Sequence, residues 1–140
     1  MPVKTTHFSV PQKVLFKHCD PAGIVFYPRY LEMVNDAVEA LFSDLIEWPF
    51  HVMHKSHGAP TVALEASFAA PSRHGDELNL NIAIEKLGTS SLRLRIDAFC
   101  TDELRFTVLN TLVCIGSEGQ STPWPADVRK RIEAIVEGAI

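Results

Sequence analysis

Tyr30-Leu31-Glu32-Met33-Val34-Asn35-Asp36-Ala37-Val38-Glu39-Ala40-Leu41-Phe42-Ser43-Asp44-Leu45-Ile46 is the stretch that decides the fold class. Tyr30, Val34, Ala37, Val38, Leu41, Phe42 and Leu45 recur at the i, i+3, i+4 spacing of an amphipathic helix, with Glu32, Asp36, Glu39 and Ser43 on the other face. Pro28 falls in the first turn, where its missing N–H costs nothing, and Trp48-Pro49 ends the helix. On both sides of this stretch the period changes from helical to alternating.

Before the helix, residues 7–18 read as a strand carrying Phe8, Val10, Val14 and Phe16, with Gln12 interrupting the pattern. Pro11 inside it implies an edge position or a bulge. After the helix, Val62, Leu64, Ala66 and Phe68 alternate up to Pro71, and Leu78, Leu80, Ile82 and Ile84 alternate with polar neighbours. Leu92, Leu94, Ile96 and Ala98 alternate with Arg93, Arg95 and Asp97, while Phe106, Val108 and Leu112 mark a last strand that is apolar on both sides near Leu109 and Val113. Gly88 and Thr101-Asp102 supply hairpin turns. Pro123 and Pro125 introduce a short closing helix over 126–137. The order β–α–β–β–β–β, with one long helix against a five-stranded, mostly antiparallel sheet, predicts an α+β domain over 1–140. Each strand shows one apolar face, as expected for a sheet covered on one side by the helix.

Composition excludes several function classes. The 140 residues are 46% hydrophobic and 21% charged, ordinary for a globular domain and wrong for a disordered chain. Thirteen basic against 17 acidic residues give a formal charge of −4, so no basic excess is available to face nucleic acid. No apolar stretch of secretory type follows Lys4, and no run long enough to span a bilayer occurs, so a cytoplasmic protein without a membrane partner is expected. Cys19, Cys100 and Cys114 have neither disulfide nor zinc spacing, and Cys100 and Cys114 read as small buried hydrophobes. His51, His54 and His57 repeat every three residues without carboxylate company, so no metal site is expected there.

The chemistry-bearing stretch is His18-Cys19-Asp20-Pro21-Ala22-Gly23-Ile24-Val25-Phe26-Tyr27-Pro28-Arg29-Tyr30, a loop that runs into the helix. A helix N-terminus offers unpaired N–H groups and partial positive charge, which suit a developing oxyanion. Asp20 beside it is placed to act as base or nucleophile, or simply to close an Asx turn before Pro21.

The run from Cys19 to Tyr30 resembles the signature of the 4-hydroxybenzoyl-CoA thioesterase family of hotdog-fold proteins. The element order and the Gly58-Ala59-Pro60-Thr61 entry to the second strand extend the resemblance over nearly the whole chain. It implies a long helix wrapped by the sheet, subunits paired edge to edge, and sites at the dimer interface. It puts the catalytic carboxylate on Asp20, as nucleophile or general base toward a thioester carbonyl, and the oxyanion donor on the backbone N–H of Tyr27. Gly23 would let the loop approach the ligand closely.

The resemblance further implies substrate contacts at Asn35, Phe50, Pro60 and Thr61. Asn35 stands where hydroxybenzoyl enzymes carry an acidic residue for the phenolic hydroxyl, so it offers an amide in place of a charge. The family's basic cluster before the fourth strand is replaced by Gly88-Thr89-Ser90-Ser91, which makes Lys86, Ser91 and Arg93 the expected CoA contacts. The function so implied is hydrolysis of an aryl- or short acyl-CoA thioester. CoA is then part of the substrate, no separate cofactor is needed, and the chain is a homo-oligomer, a dimer at least, with a tetramer expected. Two rival readings are a hotdog hydratase or dehydratase and a non-catalytic acyl-CoA-binding module. The first wants a histidine in the site, and strand alternation turns His18 away.

Overall fold

A computed structural model of the chain describes residues 5–138. Its elements are β1 (Phe8–Lys13), α1 (Tyr27–Ala40), α2 (Phe50–Met53), β2 (His57–Gly58), β3 (Thr61–Phe68), β4 (Glu77–Leu87), β5 (Ser91–Cys100), β6 (Glu103–Val113), β7 (Ile115–Gly116) and α3 (Ala126–Glu137). Five strands form one antiparallel sheet in the order β1-β4-β5-β6-β3, and β2 pairs with β7 as a small second ribbon. Helix α1 lays Tyr30, Met33, Val34, Ala37 and Val38 into a core shared with Leu80, Ile82, Leu94, Ile96, Phe106 and Val108 of the inner sheet face. This is the hotdog arrangement.

The helical stripe continues past Ala40 in a widened π turn, Leu41–Leu45, where Ile46 N–H reaches back to Leu41 O (3.0 Å). Arg131 of α3 donates from Nε to Ile46 O (2.6 Å), placing a cation at the negative end of that helix. Helix α3 has the expected bounds and ends at Gly138, whose φ of 74° only glycine adopts freely. Pro11 lies on β1, an edge strand, as a proline in a sheet should. Cys114 is buried and Cys100 half-buried.

Two expectations need correction. The first strand does not run from 7 to 18: it ends at Lys13, and Phe16–His18 form a 3-10 turn with Phe16 79% exposed. The ladder stops because Leu15 N–H donates to His18 Nδ1 (2.8 Å), which ends strand pairing and turns the chain toward the helix. The second correction concerns β3, which lacks the buried apolar face expected of it: Val62, Leu64 and Phe68 are 59%, 46% and 48% exposed. A single helix is too narrow to reach the outermost strand along its length. The short α2, β2 and β7 carry too few residues for any period to announce them.

The segment between β3 and β4 positions the site. Arg105 of β6 accepts from Ala69 and Ala70 N–H at its carbonyl (2.9 and 3.2 Å). Its guanidinium Nη1 donates to Pro71 O (3.1 Å), Ser72 Oγ (3.1 Å) and Asp76 Oδ2 (2.7 Å). Its Nε lies 2.7 Å from Glu103 Oε1, close enough for ion pairing although not aligned as a hydrogen bond. Asp76 Oδ2 also accepts from Arg73 N–H (2.9 Å). The Arg105 hydrogen bond, then the Arg73 amide, hold the Asp76 carboxyl below its ordinary value of 3.8. A depressed carboxyl contributes stability above its unfolded value and loses it as pH falls through the folded one. Asp76→Asn should therefore cost about 1.5–3 kcal/mol near neutral pH. Urea unfolding at about pH 7 and about pH 3 checks this: the gap between wild type and variant should narrow at the lower pH, and a pH-independent gap would contradict it.

Candidate active site

The stretch from Cys19 to Val25 folds as a miniature hairpin, because Pro21 and Gly23 bend the chain between two residues that bridge. Asp20 N–H donates to Ile24 O (3.0 Å) and Gly23 N–H to Asp20 O (2.9 Å). Gly23 sits at φ 83° with open space where a side chain would stand, so the left-handed backbone is what demands glycine there. Asp20 Oδ1 accepts from Ala22 N–H (2.9 Å), so the Asx turn forms; it uses one carboxylate oxygen. The hairpin is pinned on its far side by Ile24 bridging Arg73 and by Val25 N–H donating to Ser72 O (2.9 Å). Arg105 thus holds the Asp20 loop at one remove, through the 69–76 segment.

The same loop delivers the chain to the start of α1. A helix N-terminus leaves over four amides. Here Phe26 N–H goes to His18 O (2.9 Å), Arg29 N–H returns to Phe26 O (2.8 Å), and Pro28 has no N–H. Tyr27 N–H is left as this turn's donor without a backbone acceptor among the described residues, and no side chain caps the helix. A carboxylate and a spare amide at the positive end of a helix therefore share one corner of the molecule. The arrangement can polarise a carbonyl and supply a base or nucleophile beside it.

Tyr27 and the Ile24-Val25 end of the hairpin wall an apolar pocket of about 460 Å³ together with Tyr30, Phe68 and the Ala69–Pro71 run, while Asp20 and Gly23 stand outside its wall. Tyr30 stacks on Phe68 at 5.8 Å and lies 4.5 Å from Phe106, and Tyr27 meets Phe68 edge-on at 5.9 Å. Sequence reading missed Phe68 and the Ala69–Pro71 wall, although the apolar run closing a strand was a visible signal. His18 is buried, and its Nδ1 is engaged by Leu15 N–H. Burial, then the neighbouring Lys17, hold its imidazole below the ordinary value, against an opposing pull from Glu32.

The remaining candidates lie elsewhere. Asn35 is exposed, two turns along α1 from Tyr27. Thr61 opens β3 and donates from Oγ1 to the buried Asn110 Oδ1 (3.0 Å). Phe50 and Pro60 line a second cleft beyond the C-terminal end of α1. Lys86, Ser91 and Arg93 flank the β4–β5 turn, where Ser91 O accepts from Trp124 Nε1 (3.1 Å) and Arg93 Nε lies 3.1 Å from Glu85 Oε1. Thr61 and Phe68 bound the eight residues of β3, so these contacts stand about 23 Å along the sheet from the Asp20 corner. Within one chain, the structure brings Asp20, Gly23 and Tyr27 together, leaves Asn35 on the exposed face of α1, and puts the other candidates at the far end.

Comparison with known proteins follows the same lines. A sequence profile described as "Thioesterase-like superfamily" matches residues 14–132. A 4-hydroxybenzoyl-CoA thioesterase from Pseudomonas sp. is 31% identical over 81 residues, which is 56% of this chain and 57% of that relative. The chain thus spans little more than half of the curated relative it matches. Among solved structures, a gentisyl-coenzyme A thioesterase superposes with a TM-score of 0.81 at 25% identity, over 87% of this chain and 99% of that one. A thioesterase from Thermus thermophilus, solved with coenzyme A and Zn, superposes with a TM-score of 0.82 at 25% identity, over 94% of this chain and 96% of that one. With the profile running from Val14 at the end of β1 to Ile132 inside α3, across both the Asp20 hairpin and the entire sheet, the chain belongs to the thioesterase-like superfamily.

Proposed function

We propose that the protein hydrolyses the thioester of an aryl- or short acyl-CoA to the free acid and CoA. The observation that carries this reading is the unspent Tyr27 N–H at the start of α1, beside the Asp20 hairpin and at the mouth of an apolar pocket. The thioester carbonyl oxygen accepts from Tyr27 N–H in a hydrogen bond that strengthens as the oxygen becomes anionic. Asp20 then either attacks the carbonyl carbon, expelling the thiolate and leaving an anhydride for water to cleave, or takes a proton from the attacking water. A hydratase reading lacks its base, because His18 Nδ1 is committed to Leu15 N–H. The sequence family and the CoA thioesters named for its relatives support the same choice.

The working unit in this reading is a homodimer. Strand β3 has β6 on one side and an unpaired edge on the other, and its inner face presents exposed Leu64 and Phe68 next to exposed Phe26 and Tyr27. A bare apolar edge strand invites a second copy. Antiparallel pairing of two β3 edges about a two-fold axis would set Pro60 and Thr61 of one chain beside the Phe68 end of its twin. The contacts stranded 23 Å away in one chain, by the strand rise of about 3.3 Å per residue, would then come from the partner. Two such dimers make the expected tetramer.

Asp20→Asn keeps the shape of the turn and removes the charge, so kcat should fall by roughly 10²–10⁴ while the protein stays folded; wild-type turnover would end the assignment. Light scattering should give at least twice the 15.6 kDa chain mass, and Leu64→Lys at the β3 edge should yield a folded but inactive monomer. An active wild-type monomer would refute the dimer. In kcat/KM, benzoyl- and 4-hydroxybenzoyl-CoA should exceed palmitoyl-CoA, because rings gain roughly 0.5–1.5 kcal/mol among Tyr27, Tyr30 and Phe68. Asn35→Asp should raise the preference for 4-hydroxybenzoyl over benzoyl, and an unchanged ratio would remove Asn35 from the site.

A further inference from the structure

The surface expected from sequence to hold the CoA phosphates is a poor anion site. Exposed Lys86 shares its groove with Glu85, Glu133 and Glu137. Arg93 lies 3.1 Å from Glu85, and Arg129 lies 3.4 Å from Glu133 while donating to Gly88 O (2.8 Å). Both arginines already face a carboxylate and Lys86 is surrounded by three, so little positive potential remains for a phosphate to feel.

The cleft beyond the end of α1 is different. It encloses about 680 Å³, within the range of small-molecule sites, over an apolar floor of Phe50, Met53 and Ile115. Its polar lining is His54, Lys55, Ser56 and His57 facing Ser117 and the glycines of the Gly116–Gly119 turn. No carboxylate lines it among the described residues, and Glu118 of that turn is not part of the wall. His54 packs against Phe50 (5.6 Å) and His57 edge-on against Trp48 (5.5 Å), so neighbouring rings buttress both imidazoles. In a chain of net charge −4, a cleft with a lysine, two histidines and no acid stands apart. Its rim, Gly58 to Pro60, leads directly into Thr61 and the bare β3 edge.

We propose that this cleft, and not the β4–β5 turn, binds the phosphate-bearing end of the pantetheine thiol, as found in CoA. The inference rests on the thioesterase reading. The thioester lies at one chain's Asp20 corner, the pantetheine arm crosses the paired β3 edges, and the phosphates meet Lys55 and the imidazoles of His54 and His57 of the other chain. Lysine supplies the charge, and an imidazole ring N–H donates to phosphate oxygen in either protonation state.

The test is calorimetric titration of the full-length protein with CoA, dephospho-CoA, 4′-phosphopantetheine and pantetheine. The variants are His54→Ala/Lys55→Ala, both sites being exposed, and Lys86→Ala/Arg93→Ala. Wild type should bind CoA at least about tenfold tighter than pantetheine, and His54→Ala/Lys55→Ala should lose most of that advantage. Lys86→Ala/Arg93→Ala should keep it. Equal binding of 4′-phosphopantetheine and CoA would assign the site to the phosphopantetheine arm of a carrier protein, whereas a CoA preference assigns it to the nucleotide. CoA binding no tighter than pantetheine, or loss confined to Lys86→Ala/Arg93→Ala, would overturn the proposal. Hydrolysis of an N-acetylcysteamine thioester, which carries no phosphate, is followed in parallel. If it persists without any CoA preference, the cleft assignment fails alone; if CoA binds in the cleft but no thioester is cleaved, the activity fails alone.

Discussion

A helix about 10–12 Å across cannot cover a five-stranded sheet whose strands lie about 4.8 Å apart. Everything distinctive about this chain follows from that mismatch of widths. Helix α1 buries the inner faces of β4, β5 and β6 and touches β1, so the core is dry and contiguous there. At β3 it arrives only near the Phe68 end, where Tyr27 and Tyr30 meet the phenyl ring. The rest of β3 keeps its apolar side chains in solvent.

The same geometry splits the chemistry between the two ends of the sheet. One end carries the helix N-terminus, the Asp20 hairpin and the pocket walled by Phe68 and the 69–71 run. The other carries Thr61, Pro60 and the cleft lined by His54, Lys55 and His57. In the proposed function each end holds half of what a bulky thioester needs, and a two-fold axis at the β3 edge joins unlike halves. Arg105 keeps the first half in register: its backbone and guanidinium fix the 69–76 segment, and that segment in turn pairs with Ile24 and Val25. Pro28 sharpens it further, since it removes a competing amide next to Tyr27.

Much of this was legible in the sequence. The period of the Tyr30–Ile46 stripe specified the helix, and strict alternation in 78–84 and 92–98 specified central strands that the structure buries on one side. The Asp20–Tyr30 run located the corner with the spare amide. Alternation misled at β3, because it records which residues share a face and says nothing about whether a layer covers that face. It misled again at 14–18, where a side chain, His18, takes over the amide that the ladder would have used. Charge counting overlooked the neighbours of Lys86 and Arg93 for a related reason. Lys86 and Arg93 look available in one dimension, while Glu85 from the neighbouring strand and Glu133 from α3 meet them in three. Arg105, Ser72 and Asp76 form the anchor of the site from three distant positions, and no local pattern connects them.

The central claim is that one active site is built from two chains, and mixing tests it most directly. Asp20→Asn disables the chemical half of each site, and His54→Ala/Lys55→Ala disables the phosphate half. Purified separately, each should hydrolyse acyl-CoA poorly at low substrate. Dissociated and reassociated in equal amounts, half of the dimers become mixed, and each mixed dimer contains one site with both halves intact. Activity should then rise to about a quarter of the wild-type value, the statistical share of intact sites. A mixture no more active than the average of its two components would show that each site lies within a single chain.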